Sequence, residues 1–259
     1  MASAIIGGLI RQGLPAARIE VVEPFDEART RLQQSFGVRA MAAPGPQLQA
    51  ASLVVWAVKP QMFRQAAEQV RVHLAQPLHL SVAAGIRSDS IATWLASERV
   101  VRSMPNTPAL VGQGMTALYA RAAVGAAERT RIEQVIATTG EFLWVEEEKQ
   151  LDAVTALSGS GPAYVFLFLE AMIEAGAQMG LSREQAKRLA IATFAGASQL
   201  ARDSADPPEV LRERVTSKGG TTYAALTSMQ KDQVPAAFIR AMQAACRRAG
   251  ELGDEFGKT

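Results

Sequence analysis

Two halves of different construction are expected from this sequence: an α/β half with an open, mainly parallel sheet over residues 1–145, and an all-helical half over residues 146–259. Three observations predict it. Short apolar runs alternate with helix-period stretches through the first half. Residues 52–58 and 78–83 are continuous apolar runs of the kind buried on both faces of a parallel sheet. From Glu146 onward no strand pattern survives.

Taken in order, residues 2–13 place Ile5, Ile6, Leu9 and Ile10 on one stripe, so a helix is expected to begin at residue 2 and turn off at Gly13. A short strand at 19–22, a helix at 26–36 closed by Gly37 and a strand at 38–40 follow. After the two apolar strands, with helices at 62–72 and 89–95, come strands at 100–104, 115–119 and 142–145 and a helix at 126–138. Right-handed βαβ units are the economical way to join them. The second half reads as helices at 146–157, 162–179, 182–201, 207–215, 222–229 and 235–252. In the last of these, Phe238, Ile239, Met242 and Cys246 form the expected core stripe.

Composition narrows the function classes. The 259 residues are 48% hydrophobic and 20% charged, enough to bury a sizeable core. Twenty-seven basic against 25 acidic residues give a net charge of +2, which provides no steering toward nucleic acid or an anionic membrane. With one cysteine, Cys246, no intrachain disulfide can form, and with only His73 and His79 there is no cluster to hold a metal. A reducing, cytoplasmic setting fits. The strongest apolar run, 163–169, stops at Glu170 and is short for a membrane span, and the N-terminus lacks a signal-peptide layout.

In open α/β sheets the ligand crevice lies at the carboxyl ends of the strands. The residues there are Glu23, Lys59-Pro60 after Ala57-Val58, and Ala84-Gly85, with Asn106 in the rigid corner Met104-Pro105-Asn106-Thr107-Pro108. An acid placed like Glu23 suits the ribose hydroxyls of a dinucleotide and repels a 2′-phosphate, which tilts toward NADH. Each has a plainer reading: Glu23 as a solvated strand-end charge, Lys59 as a surface lysine, Asn106 as part of a chain reversal. No G-x-G-x-x-G turn precedes the first helix, and Gly7-Gly8 lie inside its stripe. The first strand and phosphate loop of a Rossmann-like domain are therefore expected to be missing upstream of Met1, unless the domain binds no dinucleotide in the usual way.

The most informative stretch is Val215-Thr216-Ser217-Lys218-Gly219-Gly220-Thr221-Thr222. A Gly-Gly pair permits positive φ, and the threonines can open a helix whose first N–H groups lack intrahelical partners, a pocket for a small anion. The hydroxyls of Ser217 and Thr222 suit a ligand with a carboxylate beside a nitrogen. A Gly-rich turn ending in an N-cap is the alternative. Ser158-Gly159-Ser160-Gly161-Pro162 similarly leads into a helix whose next turns, Tyr164 to Leu169, are apolar all round. Such a helix must be covered on every side. With the small residues Ala190, Ala192, Ala195, Gly196 and Ala197, this predicts two interlocked subunits, a monomeric bundle being the alternative.

Ala57-Val58-Lys59-Pro60, Met104-Pro105-Asn106-Thr107-Pro108-Ala109, Leu157-Ser158-Gly159-Ser160-Gly161-Pro162-Ala163-Tyr164 and Ser217-Lys218-Gly219-Gly220-Thr221-Thr222 resemble, in order and spacing, the hallmark segments of pyrroline-5-carboxylate reductases. The resemblance spans the chain. It implies hydride transfer from NADPH or NADH to the C=N bond of 1-pyrroline-5-carboxylate, giving L-proline, with no metal or covalent nucleophile needed. By the same resemblance, the Ser217 hydroxyl and the N–H groups of Gly220, Thr221 and Thr222 would hold the substrate carboxylate, with Gly219 and Ser158 also in the substrate site. Thr222 would then meet the ring nitrogen. Glu23, Ala57 to Pro60, Ala84, Gly85 and Asn106 line the cofactor, and Ser158 to Pro162 close the site near the nicotinamide. The helical half is the expected dimerisation domain, with dimers able to assemble into rings.

Two features depart from the family pattern. Lys218 stands where a proline usually precedes the Gly-Gly pair, and Met1 aligns just after the family's glycine loop. Two rival readings remain: a β-hydroxyacid-type dehydrogenase, although neither Lys149 nor Lys187 sits in its catalytic-lysine motif, and a dimerising chain that holds no cofactor.

Overall fold

The computed structural model describes residues 1–257. They form two compact units, one of residues 1–160 together with residues 245–257, the other of residues 161–244.

The first unit opens with α1 (Ala2–Arg11), followed by β1 (Val21–Val22), α2 (Asp26–Phe36) and β2 (Ala40–Met41). β1 and β2 pair in parallel as a two-stranded ribbon. Helix α2 ends as its sequence predicts: Gly37 takes the left-handed conformation at φ 67° and returns its N–H to the Gln33 carbonyl. The strands expected at 19–22 and 38–40 shrink to 21–22 and 40–41, the two positions at which they pair with each other, and a 3-10 turn at 16–18 precedes the first.

The main sheet has five strands in the order β3 (Leu53–Trp56), β4 (Leu78–Ser81), β5 (Val100–Met104), β6 (Gly114–Ala120), β7 (Gly140–Trp144). Helices α3 (Phe63–Arg71), α4 (Ser88–Leu95) and α5 (Ala126–Ile136) connect them. β4 is buried along its whole length, as expected. β3 is not. It lies at the sheet edge, and Leu53, Val54 and Val55 are only half-buried. A second correction concerns direction: β6 runs antiparallel to β5, because residues 105–113 joining them hold only a 3-10 turn, too little chain for a parallel crossover.

α1 spans both sheets. Ile5 belongs to the core under the five-stranded sheet with Leu78, Leu80, Val101 and Leu118, whereas Ile6 packs with Leu32 and Val38 beside the ribbon. α6 (Gln150–Val154) continues into a π-helical turn, Thr155–Gly159. The C-terminal end of α11 (Val234–Gly257) closes this unit, with Phe256 half-buried against the core of Trp56, Phe63 and Ile86.

The second unit is helical: α7 (Gly161–Gln178), α8 (Arg183–Asp203), α9 (Pro208–Arg214), α10 (Thr221–Lys231) and the start of α11. Ser182 caps α8 reciprocally with Gln185: the Gln185 N–H donates to Ser182 Oγ, and the Ser182 N–H donates to Gln185 Oε1. Phe238 packs edge-on against Tyr164 and Phe168. Ile239, expected in the core stripe, is 56% exposed, and Phe166 and Leu167 are similarly open. The helical stretch Gln150–Gln178 is long and apolar enough, by length and composition alone, to cross a membrane, where the apolar run had been expected to fall short. The run is short in sequence, but the helix that carries it is not.

Candidate active site

In the first unit the strand-end residues take distinct places. Glu23 follows β1, its N–H donating to the Met41 carbonyl at 2.8 Å and its Oε1 accepting from the Phe25 N–H at 3.0 Å. Arg29 is committed nearby, donating to the carbonyls of Glu23 and Pro24 and to Asp26. Ala57 and Lys59 are exposed after β3, with Val58 and Pro60 half-buried, and Pro60 opens a 3-10 turn. After β4, Ala84 is exposed while Gly85 is buried at φ 75°. A side chain on Gly85 would press on Phe256 and Leu252 of α11 at 3.2–3.3 Å, so glycine is required there by backbone and packing together.

Asn106 stands after β5 at the head of a 3-10 turn. Its Oδ1 accepts the Met115 N–H at 2.9 Å, and its Nδ2 donates to the Ser158 hydroxyl at 3.2 Å and the Ser158 carbonyl at 3.3 Å. The structure therefore joins two residues that the sequence placed in separate roles. Ser158 itself sits in the π-turn, where the Ser160 N–H reaches the Thr155 carbonyl at 2.8 Å. Gly159 has to be glycine: a Cβ there would lie 2.3 Å from the Met104 methyl carbon.

Behind these strand ends lies a polar group that the sequence reading missed. Glu148 accepts from the Ser88 N–H at 2.6 Å, from the Ser88 hydroxyl at 2.5 Å and from Arg102 at 3.0 Å, with Arg102 itself buried. The clue was an arginine inside the apolar strand 100–104, which must have a partner. Asp152 nearby is pushed up from the usual carboxylate range, chiefly by burial.

In the second unit, Ser217 to Gly220 form a tight turn in which the Gly220 N–H donates to the Ser217 carbonyl at 3.0 Å. Gly219 holds φ 77°, the third-position requirement of a type II turn. Gly220 is the N-cap of α10 with an ordinary φ of −81°, and a Cβ on it would sit 2.7 Å from Ser217 Oγ, so the hydroxyl lies close over the backbone. No side chain caps α10, and the first intrahelical bond is made by the Ala224 N–H to the Gly220 carbonyl at 3.1 Å. This corrects one detail of the expected anion pocket. The Gly220 N–H is spent inside the turn, and the amides turned outward at the helix start are those of Thr221, Thr222 and Tyr223.

The residues present fit a reduced nicotinamide dinucleotide in part. A fixed carboxylate suits ribose hydroxyls, and a braced amide and serine hydroxyl suit the polar edge of a nicotinamide. Among the described residues no Gly-rich loop stands between a strand and α1 to take the phosphates. No group of three or more potential metal ligands occurs among them.

Residues 148–252 match the family profile described as pyrroline-5-carboxylate reductase dimerisation, and residues 1–85 match the one described as NADP oxidoreductase, coenzyme F420-dependent. The pyrroline-5-carboxylate reductase of Pseudomonas aeruginosa is 44% identical over 260 residues, covering 100% of this chain and 95% of that relative. The chain belongs to the pyrroline-5-carboxylate reductase family. As a member of that family it is an NAD(P)-dependent oxidoreductase. The solved pyrroline-5-carboxylate reductase of Coxiella burnetii superposes with a TM-score of 0.89 at 36% identity, covering 97% of this chain and 94% of that one. The Plasmodium falciparum pyrroline carboxylate reductase, solved with NADP bound, superposes with a TM-score of 0.83 at 28% identity, covering 97% and 96%. These likenesses bear out the expected fold: a Rossmann-like half followed by a helical dimerisation half.

Proposed function

We propose that the chain reduces 1-pyrroline-5-carboxylate to L-proline, the last step of proline biosynthesis, with NADPH or NADH as donor. The observation that carries this reading is the uncapped start of α10, presented by the Ser217–Gly220 turn within a chain of this family. When bound, the reduced nicotinamide supplies the hydride for the imine carbon.

The protein's own work is to bind and orient. The Thr221 and Thr222 N–H groups and the Ser217 hydroxyl hold the substrate carboxylate, favoured by the positive end of the helix. Gly219 and Gly220 let the backbone approach it closely. The Thr222 hydroxyl meets the ring nitrogen and steers its proton. Glu23 takes the ribose hydroxyls; Ala57, Val58, Lys59, Pro60, Ala84 and Gly85 form the floor under the cofactor, and Asn106 and Ser158 its nicotinamide end.

We assign residues 1–145 to cofactor binding and 146–259 to dimerisation and substrate binding. The open face of α7, with Phe166, Leu167 and Met172 exposed, is read as the surface covered by a second copy rather than by lipid. Support comes from the dimerisation profile over residues 148–252. A cytoplasmic homodimer, able to assemble into rings and contacting no membrane or nucleic acid, completes the proposal.

The test is oxidation of NADH and of NADPH with 1-pyrroline-5-carboxylate, on the unchanged chain and on Thr222→Ala. Turnover that the variant largely loses supports the function and the role of Thr222. A folded, dimeric protein with no turnover under either cofactor would sink it.

A further inference from the structure

We propose that Asn106 is a positioning residue that acts through Ser158, holding the serine hydroxyl as a hydrogen-bond donor toward an sp2 oxygen of the bound ligand. The proposal rests on the reductase function argued above. Asn106 spans three segments: its own turn after β5, the start of β6 through Met115, and the π-turn through Ser158. Because Oδ1 receives the Met115 N–H, the amide orientation is set and its NH2 group must face Ser158. Ser158 Oγ therefore accepts, and its own proton is left to donate.

Within the helix that proton has no use. Thr155, at the start of the same π-turn, bonds back to the Leu151 carbonyl at 2.7 Å in the usual way of a helical hydroxyl, whereas among the described residues Ser158 Oγ donates to no protein acceptor. Ser158 sits where the π-turn shifts the ladder by one residue, the Ser160 N–H reaching the Thr155 carbonyl, and the Met104 methyl lies close against Gly159 beside it. A serine held as acceptor on one side and unspent as donor on the other, at the carboxyl end of β5, fits a carbonyl-type oxygen. Two groups of the reaction offer one, the nicotinamide carboxamide and the substrate carboxylate.

The deciding variant is Asn106→Asp. Its carboxylate still accepts the Met115 N–H, so the fold keeps that tie, but it has no donor for Ser158 and draws the serine proton onto itself. NADH affinity, read by nicotinamide fluorescence without substrate, and KM for 1-pyrroline-5-carboxylate would be measured for the unchanged chain, Asn106→Asp, Ser158→Ala and the double variant. Each single variant is expected to lose about tenfold in one of the two constants. The double variant should lose no more than either single. A loss in NADH affinity assigns the carboxamide as the acceptor; a loss confined to KM assigns the carboxylate. Losses that add in the double variant, or a lower melting temperature with both constants unchanged, overturn the proposal while leaving the reductase function standing. An unchanged chain that neither binds NADH nor turns over overturns both.

Discussion

Trp56 donates its indole N–H to Nδ1 of His79 at 3.1 Å, linking β3 to β4 inside the sheet, with both side chains almost wholly buried. The bond requires an unprotonated Nδ1, and the surroundings enforce it: burial, with the Arg99 charge adding to it, pushes the His79 pKa down to about 4. His79 is thus a structural acceptor and not a catalytic base.

Stability should accordingly depend on pH. Between about 4 and the ordinary value of 6.5 the unfolded chain binds a proton that the folded chain refuses, so stability is full above about 6.5 and falls as pH drops toward 4. The loss approaches about 3 kcal/mol at its limit, at 1.36 kcal/mol per pH unit. Urea midpoints from pH 7.5 to 4.5 would read it. His79→Leu should be less stable at pH 7.5, since it strands the indole N–H, yet should show a flatter pH dependence. An unchanged slope would place the acid sensitivity elsewhere.

The buried Glu148 group gives a second test. Glu148 satisfies Arg102 and both donors of Ser88, and Arg102 keeps only 5% of its side chain exposed. Glu148→Ala leaves that cation buried without its carboxylate and should cost about 3–5 kcal/mol. Adding Arg102→Met should recover much of the loss, because it removes the stranded charge. Chemical denaturation of the two single variants and the double variant would measure the coupling. Strictly additive losses would argue against it.

What the sequence made legible was local chemistry. The end of α2 at Gly37 and the starts of the helices near Pro162 and Ser182 depend on residues a few positions apart, and each stands within a residue of where it was expected. Features set by distant partners were not legible. β6 runs against β5 because of the length of its connection, β3 is half-open because of its place in the sheet order, and Glu148 meets Arg102 across 46 positions. At the site, the glycine pair was recognised as turn-forming, but which amides remain for a ligand depended on the hydrogen bond from Gly220 to Ser217. Ile239 followed the helical stripe faithfully and is still exposed, since periodicity identifies an apolar face without naming what covers it.

That apolar face yields a prediction about assembly. Phe166 and Leu167 are 58% and 62% exposed on adjacent positions of α7. Replacing both with aspartate would place two charges in the proposed subunit interface, where they would be desolvated without partners. Sedimentation velocity should show the dimer giving way to monomer. A particle of unchanged mass would move the interface off α7.

The turn before α10 allows the departure at Lys218 to be tested directly. Gly219 at φ 77° occupies the third position of a turn closed by the Gly220 N–H, and the second position, Lys218, is where a type II turn favours proline. Lys218 is exposed, and among the described residues its N–H donates no backbone hydrogen bond, so Lys218→Pro removes nothing that the fold uses. It should stabilise the chain by about 0.4–1 kcal/mol by restricting the unfolded state. Gly219→Ala forces a side chain into positive φ and should destabilise by about 1 kcal/mol or more. Their effects on activity separate the two things the turn does. If the turn presents the outward amides of Thr221 and Thr222 to the substrate carboxylate, Gly219→Ala raises KM for the substrate and leaves NADH affinity alone, while Lys218→Pro keeps KM at or below its starting value. A proline variant that folds more stably but binds substrate many times more weakly would instead assign the Lys218 ammonium a share of the carboxylate.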